Sequence, residues 1–520
     1  MEKKKLNKNT AVCIAIFALY ALLSLIGALN HELWYDEAQA WTITRDNTIG
    51  GIFHQLSYEG HPPLWYLILY VFSHTGFECT VIPIISWVIT AAAAAVVMFK
   101  APFHIVTKAA LLFSGGFLFF NSVMSRVYCL INLLAVLTAW LYPKRKAHPI
   151  LFGILIALLA NTHVCISGFI GIMGIFMITD LFKGFRTNTA KQNAAEIAGL
   201  AISGAGVLLM VIPLLHSVSL NGTTSKFNYT FRFAVGAALD SFSDISMSLL
   251  LYDNKNLFMF FVAGIMAVLL FAEFILMRHK TRPFLMLVFF TVFYIITSQI
   301  LWYTIQNRAH IFVLMFFVTA WIAESEPQNG AGKIWTKFNF KTETKAIENI
   351  IGFVQKLDKG YMRYFNIILT AVLIVSVPAG ARFLFGDYIG SFSPSKKAAE
   401  YIKNNFPANT VFVTEDEVVP SLAAYLLDYR FYSKDFGRFY TYNEHKNHPE
   451  NLSYESIYND LKDCENVYYI DVHVEIDFIP SNRKVVYIIR DGMPYGGNIC
   501  YVEISEFDLD KEIKSVIDKG

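Results

Sequence analysis

The chain has 520 residues, of which 55% are hydrophobic, 15% aromatic and only 16% charged, and its mean hydropathy is +0.43. A soluble protein of this length exposes more charge, so the composition predicts a membrane protein that crosses the bilayer several times. The net charge of +2 identifies no partner, because in membrane proteins the distribution of charge is more informative than its sum. Nothing in the sequence favours nucleic-acid binding.

The first predicted element is a membrane-spanning helix over residues 11–29. The basic stretch MEKKKLNKN precedes it, so we expect an uncleaved helix whose N-terminus lies in the cytoplasm. About 20 apolar residues cross the hydrocarbon core as a helix. By this criterion further spans are predicted, in chain order, at 81–99, 104–120, 125–142, 149–167, 168–182, 194–215, 256–277, 284–302, 309–323 and 364–385.

Residues 62–75 are apolar but short, and they open with two prolines. If they crossed the membrane, the basic loops PKRK (143–146), KGFR (183–186) and MRHKTR (277–282) would lie outside. If they form a juxtamembrane helix at the outer surface, these loops lie inside together with the Lys-rich loop 324–363. The positive-inside rule favours the second arrangement, which predicts eleven spans, an inner N-terminus and an outer C-terminus.

The predicted fold is therefore an α-helical polytopic membrane domain over residues 1–385, with an outer loop at 30–80 that carries juxtamembrane helices. After about residue 386 the composition changes, and helix patterns alternate with apolar strands at 411–414, 466–472 and 484–490. This alternation predicts a soluble α/β domain over 386–520, outside the membrane. A disulfide between Cys464 and Cys500 is left open, because sequence does not supply its geometry.

The stretch WYDEAQAW (34–41) places two adjacent carboxylates, Asp36 and Glu37, among aromatic residues just past the first span. Ionisable groups near lipid are costly, so they usually pair with other groups or take part in chemistry. A partly buried carboxylate is suited to act as a general base, and Trp34 and Tyr35 offer faces for a sugar ring. The alternative is a solvated pair that caps a surface helix within an ordinary interfacial aromatic belt.

Further polar residues fall at other predicted outer helix ends. They are His61 in GHPPLWY (60–66), Arg126 and Tyr128 in SRVY (125–128), His163 in NTH (161–163), and Arg308 and His310 in QNRAH (306–310). Each alone has an ordinary explanation: a histidine that satisfies a carbonyl, an arginine that reaches the headgroups, or a belt tyrosine. Together, cations from separate helix ends that face a carboxylate pair indicate a site for an anionic substrate.

An outer-loop Asp-Glu after the first span, a Gly-His-Pro-Pro-Leu corner and then Ser-Arg-Val-Tyr resemble the GT-C superfamily of membrane glycosyltransferases. The similarity covers roughly residues 10–325 in layout. It points to the bacterial branch with the protein O-mannosyltransferases, lipid A aminoarabinose transferases and rhizobial galacturonosyltransferases. The resemblance implies Asp36 as the catalytic base, Glu37 as its supporting neighbour, Arg126 as a ligand of the lipid-linked phosphate and His61 as part of the pocket.

The resemblance further implies a sugar on a polyprenyl phosphate as donor, and transfer with inversion on the outer face of the membrane. Several relatives carry a second acidic residue in the next outer loop, whereas NSVMSRVYC has none. The sequence therefore names no metal ligand. No cofactor is firmly implied, and a divalent cation is left open.

We therefore predict a glycosyltransferase of the bacterial plasma membrane that moves a hexose or pentose to a hydroxyl of a cell-envelope glycan, lipid or protein. Asp36 and Glu37 form its predicted catalytic pair. Its predicted phosphate ligands are Arg126, His61, His163 and Arg308, and its predicted substrate contacts are Trp34, Tyr35, Tyr128 and His310. The alternatives are a transporter or flippase for a lipid-linked glycan, which predicts midplane charges and an internal repeat, or an inactive scaffold.

Overall fold

The computed structural model describes residues 8–220, 257–300, 306–327, 360–390, 392–414, 419–433, 436–444, 454–473, 485–490 and 501–508. Most of them are helical, with a sheet near the C-terminus. The start of MEKKKLNKN, most of the loop predicted at 324–363, and Cys500 lie outside the described residues. The pairing of Cys500 with Cys464 therefore stays open.

The helices follow one another along the chain with short connections. The first part contains α1 (Lys8–Asn30), α2 (Tyr35–Asp46), α3 (Ile49–Glu59), α4 (Leu64–Ser73), α5 (Ile82–Lys100), α6 (Ile105–Phe113), α7 (Tyr128–Leu141), α8 (Pro149–Ala160), α9 (Ser167–Gly184) and α10 (Ala190–Leu220). The second part contains α11 (Leu257–Met277), α12 (Thr281–Ile300), α13 (Gln306–Ser325), α14 (Tyr361–Val375), α15 (Val377–Ile389), α16 (Ser395–Asn405), α17 (Val419–Ala423) and α18 (Tyr454–Leu461).

Six helical stretches of the described chain are long and apolar enough to cross a membrane. They are Lys8–Asn30, Cys79–Lys100, Val164–Gly184, Ala190–Leu215, Arg308–Ser325 and Tyr361–Ile389. The other predicted spans coincide with shorter apolar helices, and two of them are interrupted. The segment predicted at 104–120 leaves α-geometry after Phe113 and continues as a π-helical turn over Gly116–Phe120, and the segment predicted at 149–167 ends its α-helix at Ala160. Helix α4 has 10 residues and is about 15 Å long, which is half the thickness of a hydrocarbon core.

The chain divides into two compact units. The first comprises Met1–Ser24, Trp87–Ser122 and Val127–Phe383. The second comprises Leu25–Ser86, Val123–Arg126 and Leu384–Gly520. The helices of the predicted outer loop, α2 to α4, thus belong to the same unit as the C-terminal sheet.

Within the first unit, small residues and ion pairs hold the helices together. A Cβ at Gly153 of α8 would lie 2.2 Å from the carbonyl oxygen of Gly199 in α10, so only glycine permits this close approach of the two backbones. Asp180 of α9 pairs with Arg145 at 2.9 Å and with Arg282 at 2.6 Å. These arginines come from the basic loops 143–146 and 277–282, so both loops lie at the same end of the helices.

Within the second unit, six strands form one mixed sheet: β1 (Val411–Thr414), β2 (Arg430–Ser433), β3 (Arg438–Phe439), β4 (Val467–His473), β5 (Val485–Arg490) and β6 (Tyr501–Glu506). The strand order is β3-β2-β1-β4-β6-β5; β1 runs parallel to β2 and β4, and the other pairings are antiparallel. Alternate residues of β1 face opposite sides, as strand geometry requires. Phe412 packs under α16 and α17, while Val411 and Val413 pack under α18. The predicted α/β fold of this region is confirmed.

Candidate functional site

The two carboxylates of the WYDEAQAW stretch have different environments. Both lie in the first turn of α2, where adjacent side chains point about 100° apart around the helix axis. The side chain of Asp36 is 30% exposed, whereas that of Glu37 is fully buried. The structure therefore places one carboxylate at a surface and its neighbour in the interior.

Glu37 contacts two separate segments of the second unit, the residues just before α2 and the stretch Val123–Arg126. Its Oε2 accepts the backbone N–H of Trp34 at 3.0 Å, which caps the start of α2. The same oxygen lies 3.0 Å from Nε2 of His31, and Oε1 accepts the backbone N–H of Ser125. A buried carboxylate with this set of partners is suited to hold the surrounding chain in place.

His31 lies between Glu37 and a third carboxylate, Asp387 of α15. Its Nδ1 is 2.8 Å from Oδ2 of Asp387, whose Oδ1 accepts the backbone N–H of Phe392 at 3.1 Å. Burial alone lowers the pKa of His31, but attraction and hydrogen bonds from Glu37 and Asp387 outweigh it, and the pKa is raised well above 6.5. We conclude that His31 is an imidazolium that joins the two carboxylates.

Asp36 forms an ion pair with Arg126. Oδ2 of Asp36 contacts Nη1 of Arg126, whose side chain is 12% exposed. The guanidinium also lies over the ring of Trp34, 5.8 Å from its centre, within range of a cation–π interaction. Trp34 is itself buried against Phe392, with ring centres 6.2 Å apart. A partly exposed acid and a partly exposed guanidinium are thereby held side by side.

The GHPPLWY corner brings another carboxylate, Glu59, into the second unit's interior. Gly60 ends α3 with φ of 69°, a left-handed conformation that glycine adopts without strain, and its N–H bonds to the Leu56 carbonyl at 2.8 Å. The side chain of Glu59 is 3% exposed, and it accepts hydrogen bonds from Tyr66 and Gln39, both at 2.8 Å. His61 Nδ1 lies 3.3 Å from Oε2 of Glu59.

Tyr66 shows that the Glu59 group lies near the Asp36–Arg126 pair. Burial raises the pKa of Tyr66 well above 10, and the charge and hydrogen bond of Glu59 raise it further. The charge of Arg126 acts in the opposite direction, and that of Asp36 in the same direction as Glu59. Two acids and a guanidinium therefore act on one tyrosine hydroxyl.

Helix α2, helix α3 and the residues just before α2 are also held by two connecting segments of their own unit, one after β3 and one after α17. The carbonyl oxygen of Asn443 accepts from Gln39 at 2.6 Å and from Gln55 at 3.0 Å, and the Asn443 N–H donates to Gln39 Oε1 at 2.9 Å. The hydroxyl of Tyr425 accepts the backbone N–H of Leu33 at 2.9 Å. These contacts fix both sides of the segment that carries Asp36.

The remaining predicted site residues lie in the first unit. Nε of Arg308 donates to the hydroxyl of Tyr128 at 3.3 Å, and the rings of Tyr128 and His163 have centres 5.5 Å apart. All three are buried, and His163 Nδ1 accepts the N–H of Cys165 at 3.1 Å, which caps a short 3-10 turn. His310 stacks on Phe120 with ring centres 5.0 Å apart.

The structure thus places the predicted residues in two groups. Trp34, Tyr35, Asp36, Glu37, His61 and Arg126 belong to the second unit, and Tyr128, His163, Arg308 and His310 to the first. Tyr35 opens α2 with its hydroxyl buried. The contacts of Trp34 are with protein groups, so its role in binding a sugar stays a prediction, as do the roles of the first-unit residues in binding substrate.

Several residues of the site carried no signal in the sequence. His31 and Asp387 are 356 positions apart and meet only in the fold. Glu59 directly precedes the GHPPLWY corner and was available to inspection, but a single glutamate at a helix end is ordinary. Among the described residues, no group of three or more His, Cys, Asp or Glu side chains is arranged to hold a metal ion.

Comparison of the chain with known proteins finds no protein-family model and no curated protein that matches it.

Proposed function

We propose that this protein is a membrane glycosyltransferase that moves a sugar from a polyprenyl phosphate to a hydroxyl group of a cell-envelope acceptor. The observation that carries the proposal is the contact between Asp36 and Arg126, two partly exposed side chains held together by buried supports. A proton acceptor and a phosphate ligand are the two groups that this reaction requires. A divalent cation stays open, and no other cofactor is proposed.

In the proposed step, the acceptor oxygen bonds to the anomeric carbon while the bond from that carbon to the phosphate oxygen breaks. The electron pair of the broken bond leaves with polyprenyl phosphate, and the hydroxyl proton goes to Asp36. Attack from the face opposite the phosphate inverts the anomeric centre. Arg126 neutralises the growing charge, because a guanidinium presents several N–H donors in a plane that suits phosphate oxygens.

The ion pair is consistent with this assignment. In the protein without substrate, the two opposite charges neutralise each other at a partly exposed position. An arriving phosphate competes with Asp36 for the guanidinium, which releases the carboxylate to meet the acceptor hydroxyl. Glu37 is buried and already bonded, so we assign it the positioning of Arg126 and of the α2 terminus rather than contact with substrate.

The proposal places the reaction at the outer face of a bacterial plasma membrane, with the sheet domain outside. The positive-inside rule supports this placement. We also assign the sheet domain a role in holding the segment that carries Asp36, because it contacts α2 and α3.

The direct test incubates the purified protein in detergent with a panel of polyprenyl-phosphate sugars and measures release of polyprenyl phosphate in the presence of cell-envelope acceptors. We expect release with one donor, and loss of release in Asp36→Asn with membrane insertion unchanged. Asp46→Asn is the matched control: Asp46 lies on the same helix, is 29% exposed and also pairs with an arginine, Arg45. Absence of release from every donor, or full activity of Asp36→Asn, contradicts the proposal.

A further inference from the structure

A small polar cavity lies within the first unit, beside the π-helical turn that follows α6. The polar residues that line it are Ser114, Asn121, Asn132, His310 and Ser376. We propose that this cavity binds one water molecule, which supplies the hydrogen bonds that three buried side chains around it lack. The inference does not depend on the proposed sugar transfer.

The backbone of the turn is held by side chains from other helices. The N–H of Gly115 donates to both the hydroxyl and the carbonyl oxygen of Ser376 at 3.1 Å, at the junction of α14 and α15. The carbonyl oxygen of Phe117 accepts the hydroxyl of Tyr20 on α1 at 2.9 Å. Where a helix is interrupted in an apolar interior, its freed backbone groups need such partners. The interruption after α6 is therefore a built part of the fold.

Three buried side-chain atoms at the cavity have no partner among the described residues. They are Oδ1 of Asn121, Nδ2 of Asn132 and Nε2 of His310. The residues are 1%, 0% and 5% exposed, respectively. Nδ2 of Asn121 donates to Oδ1 of Asn132 at 3.3 Å, so the two amides leave one N–H donor and one carbonyl acceptor for a ligand. A buried polar group without a hydrogen bond is costly, so each of these atoms favours an occupant of the cavity.

The chemistry of the lining selects water over an ion. The cavity leaves about 10 Å³ for the centre of a water-sized molecule, which suits one water. A cation would meet the N–H of Asn132, and an anion would meet the carbonyl oxygen of Asn121. None of the described lining residues is an acid, a lysine or an arginine that could balance an ion's charge. Water donates to Asn121 and accepts from Asn132, and it suits either tautomer of His310 because it can do both.

The ring of His310 is fitted closely against the turn. A Cβ at Gly115 would lie 2.6 Å from Cε1 of His310, and a Cβ at Gly116 would lie 2.8 Å from its Cβ. Glycines at both positions thus allow the imidazole to reach the cavity. Its other nitrogen, Nδ1, lies 3.5 Å from the hydroxyl of Ser376. The proposed water therefore joins α13, which carries His310, to α7, which carries Asn132, and to the turn after α6.

The test is hydroxyl-radical footprinting of the full chain in detergent, with radicals generated by X-ray pulses and oxidised residues identified by mass spectrometry. Irradiation of an ordered water forms the radical in place, so that a buried ring beside it is oxidised. Phe117 lines the cavity and is 1% exposed, whereas Phe169 on α9 is 0% exposed and is not one of the described lining residues. We expect oxidation of Phe117 and none of Phe169. Equal oxidation of the two rings overturns the inference.

Variants of Asn132 test whether the oxidation comes from the proposed water. Asn132→Leu replaces the amide with an apolar group of similar volume, so it should expel the water and abolish oxidation of Phe117. Asn132→Ser keeps a polar group and should retain the oxidation. Thr138→Val is the matched control, because Thr138 is buried on the same helix and its hydroxyl donates to the Leu134 carbonyl at 2.7 Å. It should behave as the wild type does.

The remaining outcomes are also decisive. Persistent oxidation of Phe117 in folded Asn132→Leu overturns the inference. If Asn132→Leu does not fold, the comparison of Phe117 with Phe169 in the wild type and in Asn132→Ser decides. Oxidation of Phe117 that changes when sodium replaces potassium in the buffer would identify a cation at the site and would overturn the assignment of water.

Discussion

Glu37 accepts the backbone N–H of Ser125, and this contact places the next residue, Arg126, against Asp36. Two adjacent acids on α2 thus engage two adjacent residues of a distant loop, one pair inside the protein and one at its surface. The buried pair fixes the loop, and the partly exposed pair is the one to which the proposed transfer assigns the chemistry. The relationship explains why both carboxylates stand together in the sequence.

The first prediction concerns Glu37→Gln. The substitution removes a buried charge that pairs with His31 and accepts the N–H groups of Trp34 and Ser125, so we expect a loss of about 3 kcal/mol in unfolding free energy. We also expect weaker donor binding, because the Arg126 loop loses its anchor. Thermal unfolding in detergent, followed by intrinsic fluorescence, measures the first effect. An unchanged melting temperature in Glu37→Gln would show that Glu37 does not hold the loop. Glu78→Gln serves as the control, because Glu78 is an exposed glutamate of the same predicted outer loop.

The second prediction separates the charge of Arg126 from its shape. Arg126→Lys keeps the positive charge but loses the planar set of donors, and Arg126→Ala loses both. We expect the lysine variant to retain a minor part of kcat/KM and the alanine variant to lose about 100-fold or more. Steady-state kinetics with varied donor should show the loss mainly in donor affinity. Equal kinetics for lysine and arginine would argue against binding of two phosphate oxygens by the guanidinium.

The third prediction is a pH dependence of stability caused by His31. Its pKa in the folded protein is raised well above 6.5 by Glu37 and Asp387 despite the opposing effect of burial. The folded state therefore holds the proton more tightly than the unfolded state. The stabilising contribution is fully present below about pH 6.5, and it declines as pH rises through the folded pKa.

His31→Gln provides the comparison for this pH dependence. We expect the wild type to be more stable than the variant below pH 6.5, and the difference in melting temperature to narrow as pH increases above it. Mildly alkaline buffers should therefore loosen the attachment of the α2 terminus to Asp387. If the melting temperatures of the two proteins changed in parallel from pH 5 to pH 9, His31 would be excluded as the titrating group.

The helices were largely predictable because their signal is local. Runs of apolar residues gave the positions of α1, α5 and α9 through α14, and alternation gave β1, β4 and β5. The break after Phe113 was not visible, because GFLFF is as apolar as the helix before it and the π-helical turn depends on packing. Strands β2, β3 and β6 were missed. Strands β2 and β3 have only four and two residues, and each begins with an arginine, so they give almost no pattern. Strand β6, YVEISE, alternates polar and apolar residues and carried a signal that was overlooked.

The candidate site was predictable only in part. Asp36, Arg126 and His61 stood out because charges in aromatic or proline-rich strings near a span are uncommon. Asp387 and Glu59 did not, since their importance comes from partners far away in the sequence or from burial. The sequence also could not show that Asp36 and Glu37 have different environments, because that depends on which face of α2 is covered.

The fourth prediction concerns Glu273, a fully buried residue of α11. Neither of its carboxyl oxygens has a hydrogen-bond partner among the described residues. Burial of such a group without a partner is costly, so Glu273→Met should raise the unfolding free energy by about 2 kcal/mol. Glu196→Met is the matched control, since Glu196 accepts a hydrogen bond from Asn188 at 3.2 Å and its loss should not stabilise. A lower melting temperature for Glu273→Met would show that this carboxyl has a function that the packing does not reveal.

The last prediction tests the membrane topology that the proposed function requires. Lys144 is an exposed residue of the basic loop next to the Asp180 ion pairs, and Asn459 is exposed on α18 of the sheet domain. In a cysteine-free background, Asn459→Cys in intact cells should react with a membrane-impermeant maleimide, and Lys144→Cys should react only after permeabilisation. Neither position takes part in the ion pairs, so both variants should fold. Labelling of position 144 from outside would show that the topology is the opposite of the predicted one. The Asp36–Arg126 site would then lie on the cytoplasmic face, where a donor presented at the outer leaflet cannot reach it.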